Sequence, residues 1–88
     1  MLKVTYTNKF RKELKLSQKR GLKNIKLQNI VTLLCENKEL PGHCRPHMLS
    51  GKYAGFFECH IESDWLLIYR ITDDAIELAR TGTHSDLF

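Results

Sequence analysis

Cysteine is scarce in this chain. Cys35, Cys44 and Cys59 are the three present, an odd number at spacings that match no disulfide framework. They read as free thiols. No C-x-x-C pair occurs, and the H-C-x-x-H of His43, Cys44 and His47 is not a zinc-finger spacing, so no structural metal is expected. Cys59 and His60 are neighbours on a predicted strand and point to opposite faces, which keeps them from sharing one ion. No apolar run approaches the ~20 residues of a membrane span. The opening M-L-K-V-T-Y lacks the apolar stretch of a signal peptide, which makes the cytoplasm the expected location. Repeats and low-complexity stretches are also missing. The two prolines, Pro41 and Pro46, fall in one short region.

Acid is scarce in the first thirty residues. They hold nine Lys/Arg (Lys3, Lys9, Arg11, Lys12, Lys15, Lys19, Arg20, Lys23, Lys26) against the single acid Glu13. The rest of the chain is net acidic, with five Lys/Arg and nine Asp/Glu. A basic segment on a small protein points to a polyanionic partner, most often nucleic acid. A solvated helix face that keeps the protein soluble fits the same composition. With 88 residues, 42% hydrophobic and 27% charged, the chain reads as one ordinary globular domain over residues 1–88.

The pattern then divides cleanly. Leu2–Tyr6 alternates and is β-rich, which predicts a strand. Thr7 or Asn8 caps a helix over Lys9–Arg20, with Phe10 and Leu14 four apart and Gly21 as its stop. A second helix over Lys23–Asn37 carries the stripe Leu27, Ile30, Val31, Leu34 at i, i+3, i+4, i+7. Leu40-Pro41-Gly42 ends it, and residues 41–55 read as a loop. Phe56–Glu62 alternates, with Phe57, Cys59 and Ile61 on one face and Glu58, His60 and Glu62 on the other. Trp65–Ile71 is apolar on both faces, as a central strand is. Ala75–Thr81 is the last strand. The short links Ser63-Asp64 and Thr72-Asp73-Asp74 favour antiparallel hairpins. The predicted fold is α+β in the order β-α-α-β-β-β, a small antiparallel sheet with an N-terminal helical hairpin packed on one face.

Residue types alone leave the chemistry open. Cys59 lies on the apolar face of its strand, where burial raises a thiol's pKa and makes it inert as a nucleophile. General acid–base chemistry on RNA is a further option. His60 is on the polar face, Asp64 at the next turn, His47 in the preceding loop and His84 beyond the last strand. RNA cleavage through the ribose 2′-OH needs a base, an acid for the leaving 5′ oxygen and positive charge for the transition state. Arg80 and Lys52 are candidates for that charge.

The stretch H-M-L-S-G-K-Y-A-G-F-F-E-C-H-I-E-S-D-W-L-L-I-Y-R-I-T-D-D, followed by A-R-T-G-T-H-S-D-L-F, resembles the YafQ-like toxins of bacterial toxin–antitoxin systems, a branch of the RelE superfamily. The match is close over about half the chain. It runs from H-x-L-x-G, through an acid–x–His motif and an Asp-aromatic pair, to the closing G-T-H and Leu-Phe. The first half fits more loosely, as a basic helical hairpin. The resemblance implies a RelE-like fold and a ribosome-dependent mRNA endonuclease. Such a toxin cuts the codon in the ribosomal A site through the 2′-OH, without metal or other cofactor, and stops translation. Its partners would be a cognate antitoxin, the ribosome and mRNA. The toxin alone would be a monomer, heteromeric with its antitoxin, in the bacterial cytoplasm.

Residue by residue, the resemblance implies catalytic roles for His47, His60, Asp64 and His84. Asp64 with His60 or His84 would be the base, and His47 or His84 the acid. Arg80 would stabilise phosphate charge, with Lys52 in support. Trp65 and Phe88 would stack on a base or shape the pocket. Lys9, Arg11, Lys12, Lys15, Lys19 and Arg20 would contact ribosomal RNA. The sequence departs from the family pattern at Phe57, where an arginine is frequent, at Pro46, where an aspartate is frequent, and at Ser63, where a proline is usual. Two alternatives stand beside the enzyme: a non-catalytic nucleic-acid-binding module, and an inactive homologue that only binds an antitoxin.

Overall fold

The architecture comes from a computed structural model that describes residues 2–88. Strand β1 (Lys3–Tyr6) leads into helices α1 (Asn8–Lys19) and α2 (Asn24–Cys35). Strands β2 (His47–Met48), β3 (Phe57–Glu62), β4 (Trp65–Ile71) and β5 (Ala75–Gly82) follow, and a helical turn, α3 (His84–Leu87), closes the chain. The predicted α+β class and the predicted order of the longer elements hold. The helix boundaries lie within two residues of their expected places.

Local chemistry accounts for the helices. The Thr7 hydroxyl accepts from the Phe10 N–H at 3.0 Å, so Thr7 rather than Asn8 is the cap of α1. Gly21 follows the helix at φ +87°, the left-handed conformation that glycine adopts without a Cβ penalty. Phe10 and Ser17 are buried on α1, and Leu14 packs beside the core. On α2 the predicted stripe is the buried face: Leu27, Ile30 and Leu34 are in the core, with Val31 packed against it. Each buried side chain of this size contributes about 1.5–3 kcal/mol.

The sheet runs β1-β5-β4-β3-β2, so the apolar β4 is central, as its composition requires. α1 lies over β5, and α2 over β3 and β5. Under them, Cys59, Ile61, Trp65, Leu67, Tyr69, Ile76 and Leu78 fill one core with the helix residues. A smaller cluster on the other side joins Leu66, Ile68, Ala79 and Leu87, covered by Leu49, Tyr53 and Phe56.

Three features depart from the sequence reading. The sheet is not wholly antiparallel, because β1 runs parallel to β5, pairing Val4 with Ile76 and Tyr6 with Leu78. Parallel pairing needs a long crossover, and here most of the chain lies between the two strands. The 41–55 region is not simply loop. It holds two 3₁₀ turns and β2, which borrows the free edge of β3 by pairing His47 with Glu58 and Met48 with Phe57. Residues 84–87, to which the sequence reading assigned no element, form a helical turn started by a capping box between Thr83 and Asp86.

Candidate active site

Strand register places the candidate residues. Directly paired residues of neighbouring strands share a face. His47 pairs with Glu58, Glu58 with Ile68 and Ile68 with Arg80, while His60 pairs with Leu66 and Leu66 with Gly82. His47, Glu58, His60 and Arg80 therefore rise from one face of the sheet, opposite the helices. The β3–β4 turn and α3 bring Asp64 and His84 to the same end.

Asp64 and His84 are the two candidates in direct contact with each other. The Asp64 carboxylate accepts from the His84 backbone N–H at 3.0 Å and lies 2.7 Å from the ring Nδ1. A carboxylate only accepts, so Nδ1 carries the proton and Nε2 is left for other work. Those bonds, the backbone one first, pull the Asp64 pKa below the ordinary carboxylate value. The His60 ring lies 5.6 Å from the His84 ring, centroid to centroid, and its buried Nδ1 has no hydrogen-bond partner among the described residues. His47 sits further along the face. Its Nδ1 is 3.1 Å from the Arg45 carbonyl, and its Nε2 is 3.4 Å from a carboxylate oxygen of the buried Glu58. A carbonyl only accepts, so Nδ1 is the donor to Arg45, and Nε2 faces Glu58.

The supporting residues divide. Arg80 is not a free cation. Its Nε and Nη2 donate to the Glu13 carboxylate at 3.1 and 2.5 Å, and its Nη1 donates to the Tyr53 hydroxyl at 2.8 Å. The Glu13 bond is the main reason its pKa rises above the ordinary arginine value. Charge already neutralised in this way has less left for a phosphate. Trp65 is 1% exposed, and its indole N–H donates to the Thr81 hydroxyl at 2.8 Å. With its ring inside the helix-side core, it has no face to offer a base, and it acts as packing. Phe88 is exposed and meets Tyr53 edge-on at 6.3 Å. The Lys52 ammonium lies 5.4 Å from the Tyr53 ring.

Along α1, Lys9, Arg11, Lys12, Lys15 and Lys19 are exposed, with Arg11 over the Tyr6 ring at 4.8 Å. Arg20 differs, because it is paired with Asp86 at 2.7 Å. Sequence reasoning missed Glu13, Tyr53, Glu58 and Asp86. Glu13 had a signal, as the one acid in a basic segment. Glu58 stood on the same strand face as His60, two residues away.

A sizeable concavity lies elsewhere. A groove of about 780 Å³ between β1, α1 and α2 is lined by Tyr6, Phe10, Leu14, Leu27 and Val31 among others, and by none of the histidines. The three cysteines are buried and free. Burial pushes the Cys59 thiol up to about 12, so it is no nucleophile. Among the described residues, no group of three or more His, Cys, Asp or Glu side chains converges as a metal cage. Nor is any helix among them long and apolar enough to cross a membrane.

Comparison with known proteins matches the chain to one family. The family model described as the bacterial toxin of a type II toxin–antitoxin system, YafQ, matches residues 2–88. The mRNA interferase toxin YafQ of Escherichia coli K12 is 41% identical over 86 residues, covering 97% of this chain and 94% of the relative. A chain of the E. coli DinJ–YafQ complex superposes with a TM-score of 0.90 at 39% identity, covering 100% of this chain and 99% of that one. A copper-bound mutant toxin from Helicobacter pylori superposes with a TM-score of 0.95 at 34% identity, with 100% of each chain covered.

Proposed function

This chain belongs to the YafQ family of bacterial toxins of type II toxin–antitoxin systems, and from that premise we propose that it is an endoribonuclease that cuts mRNA in the ribosomal A site. The observation that carries the reading is the Asp64–His84 pair, with the His60 ring 5.6 Å from that of His84 on an open sheet face. His84 Nε2, oriented by Asp64 on the other nitrogen, takes the proton from a ribose 2′-OH. The 2′ oxygen attacks phosphorus and the bond to the 5′ oxygen breaks, leaving a 2′,3′-cyclic phosphate. His47, with both ring nitrogens against oxygen acceptors, returns a proton to the leaving oxygen. His60 supplies a further hydrogen-bonding imidazole beside His84 for the phosphorane-like charge.

The remaining residues bind. Phe88, edge-on to Tyr53, offers an exposed aromatic face to a base of the codon. Lys52 lies beside them, and Arg80 supports the site through Tyr53. The exposed cations Lys9, Arg11, Lys12, Lys15 and Lys19 face ribosomal RNA, and each phosphate neutralised steepens the salt dependence of binding by a slope of about 0.7–0.9. A cognate antitoxin neutralises the toxin.

The test maps new 5′ ends on ribosome-bound mRNA and on the same RNA naked, with and without the protein. Cuts confined to A-site codons of ribosome-bound mRNA are expected. Equal cutting of naked RNA removes the ribosome requirement, and no new ends in either arm removes the enzyme.

A further inference from the structure

His84 stands at the start of α3, a helical turn of four residues. A helix this short has no stability of its own, so its position must be imposed from outside. Leu87 is buried and holds one side of it. The other side converges on Asp86. The Asp86 carboxylate accepts from the Thr83 backbone N–H at 3.0 Å, and the Asp86 N–H donates to the Thr83 hydroxyl at 3.2 Å. Arg20, just past the end of α1, donates to the same carboxylate from Nη1 at 2.7 Å and from Nη2 at 3.5 Å. Gly82 makes room for it, since a Cβ there would lie 2.9 Å from the Asp86 Oδ2.

We propose that Asp86, clamped by Arg20, is a positioning residue that fixes α3 so that the His84 imidazole meets Asp64 in the reactive orientation. Arg20 then serves as an intramolecular latch between the basic helix and the active end of the sheet, and does not contact RNA. The proposal rests on the reading of His84 as a proton-transfer group. The latch spans 66 residues of sequence. It ties α1, the helix proposed to face the ribosome, to the turn that presents the histidine. Glu13 and Arg80 tie α1 to β5 in the same manner, one element over.

The experiment compares the full-length wild type with Asp86→Ala, Asp86→Asn and Arg20→Ala by two independent readouts. Nitrogen-15 NMR of the imidazoles reports the tautomer of His84 in the protein alone. Cleavage of ribosome-bound mRNA separates kcat from KM. Wild type is expected to show His84 protonated at Nδ1. Asp86→Ala is expected to convert that signal to a tautomer mixture and to lower kcat ~10- to 100-fold, the cost of a misplaced catalytic group. KM should stay within about two-fold. Arg20→Ala should shift both readouts the same way by less. Asp86→Asn, which keeps a cap acceptor, should fall between wild type and Asp86→Ala, and it replaces Asp86→Ala if circular dichroism shows that variant unfolded.

An unchanged His84 tautomer in Asp86→Ala overturns the proposal, as does a fall in kcat with an unchanged imidazole spectrum. A rise in KM at constant kcat in Arg20→Ala makes Arg20 an RNA contact and overturns the latch. If wild type cuts nothing, the proposed function fails, while the imidazole spectra still decide whether Asp86 orients His84.

Discussion

The two faces of the sheet are made from alternating residues of the same strands, yet they are built to different ends. On one, Cys59, Ile61, Trp65, Leu67, Tyr69, Ile76 and Leu78 close against α1 and α2 in a continuous apolar core. On the other, Glu58, His60 and Arg80 share the surface with Leu66 and Ile68, covered by three loop residues and Leu87. The thick face carries the stability. The thin face carries the candidate chemistry, and its small apolar cluster is the base on which the tail and the Tyr53 turn are set. A one-residue register slip would exchange the two sets, so the thick face also fixes where the histidines point.

Substitution should separate the faces. Trp65→Ala empties a large volume under the helices and removes the indole bond to Thr81, whose hydroxyl keeps its bond to the Leu66 carbonyl, so the largest loss is expected there, about 3–5 kcal/mol in urea or thermal unfolding. His84→Ala lies on the thin face with a half-exposed ring. It should change stability by less than about 0.5 kcal/mol, yet slow cleavage ~10²-fold or more. A large stability loss in His84→Ala would mean that the thin face is part of the cooperative core.

A cut at the tail sharpens the contrast. Removing Leu87 and Phe88 takes away the buried anchor of α3 and the ring against Tyr53. Cleavage should fall about 10²-fold, because His84 loses its fixed place. The far-ultraviolet spectrum and the Trp65 fluorescence should stay native, since Trp65 is packed on the other face. A truncated protein that cuts as well as the full chain would make the last two residues dispensable.

The thick face was the more legible in sequence, for a physical reason. Its signals are periodic and local: the Leu27–Ile30–Val31–Leu34 stripe, the alternation of Phe57, Cys59 and Ile61, and the apolar run of β4. The thin face depends on pairings far apart in the chain. Arg80 finds Glu13 across 67 residues, and β1 joins β5 in parallel register. Neither pairing leaves a local pattern. Trp65 shows the limit at one position: β4 is apolar on both faces, so its period cannot say which way the indole points, whereas its place in the helix-side core and its bond to Thr81 do. The histidines and Asp64 stood out by residue type, and motif resemblance gave them their expected roles. Their neighbours did not: Glu58 beside His47, Tyr53 bonded to Arg80, and Asp86 bonded to Arg20 are contacts between distant residues that leave no local pattern.

The smallest expected effect is a pH response confined to the thin face. The Arg20 hydrogen bond first, and the Thr83 N–H second, pull the Asp86 carboxyl from an ordinary 3.8 down to about 2. Asp64 is lowered as well, by the bonds from His84. A carboxylate depressed by folding contributes stability fully above its unfolded value and loses it as pH falls through the folded one. The docking of α3 should therefore hold from neutral pH to about 4 and be lost between about 4 and 2. Both groups reach solvent, so the effect concerns the tail and not the global fold. Amide hydrogen exchange from pH 7 to pH 2, corrected for intrinsic rates, measures it directly. The Leu87 and Phe88 amides, bonded to Thr83 and His84, should lose protection in that window while the amide of Leu67 keeps its own. If tail and core lose protection together, the two faces open as one unit and the distinction between them is wrong.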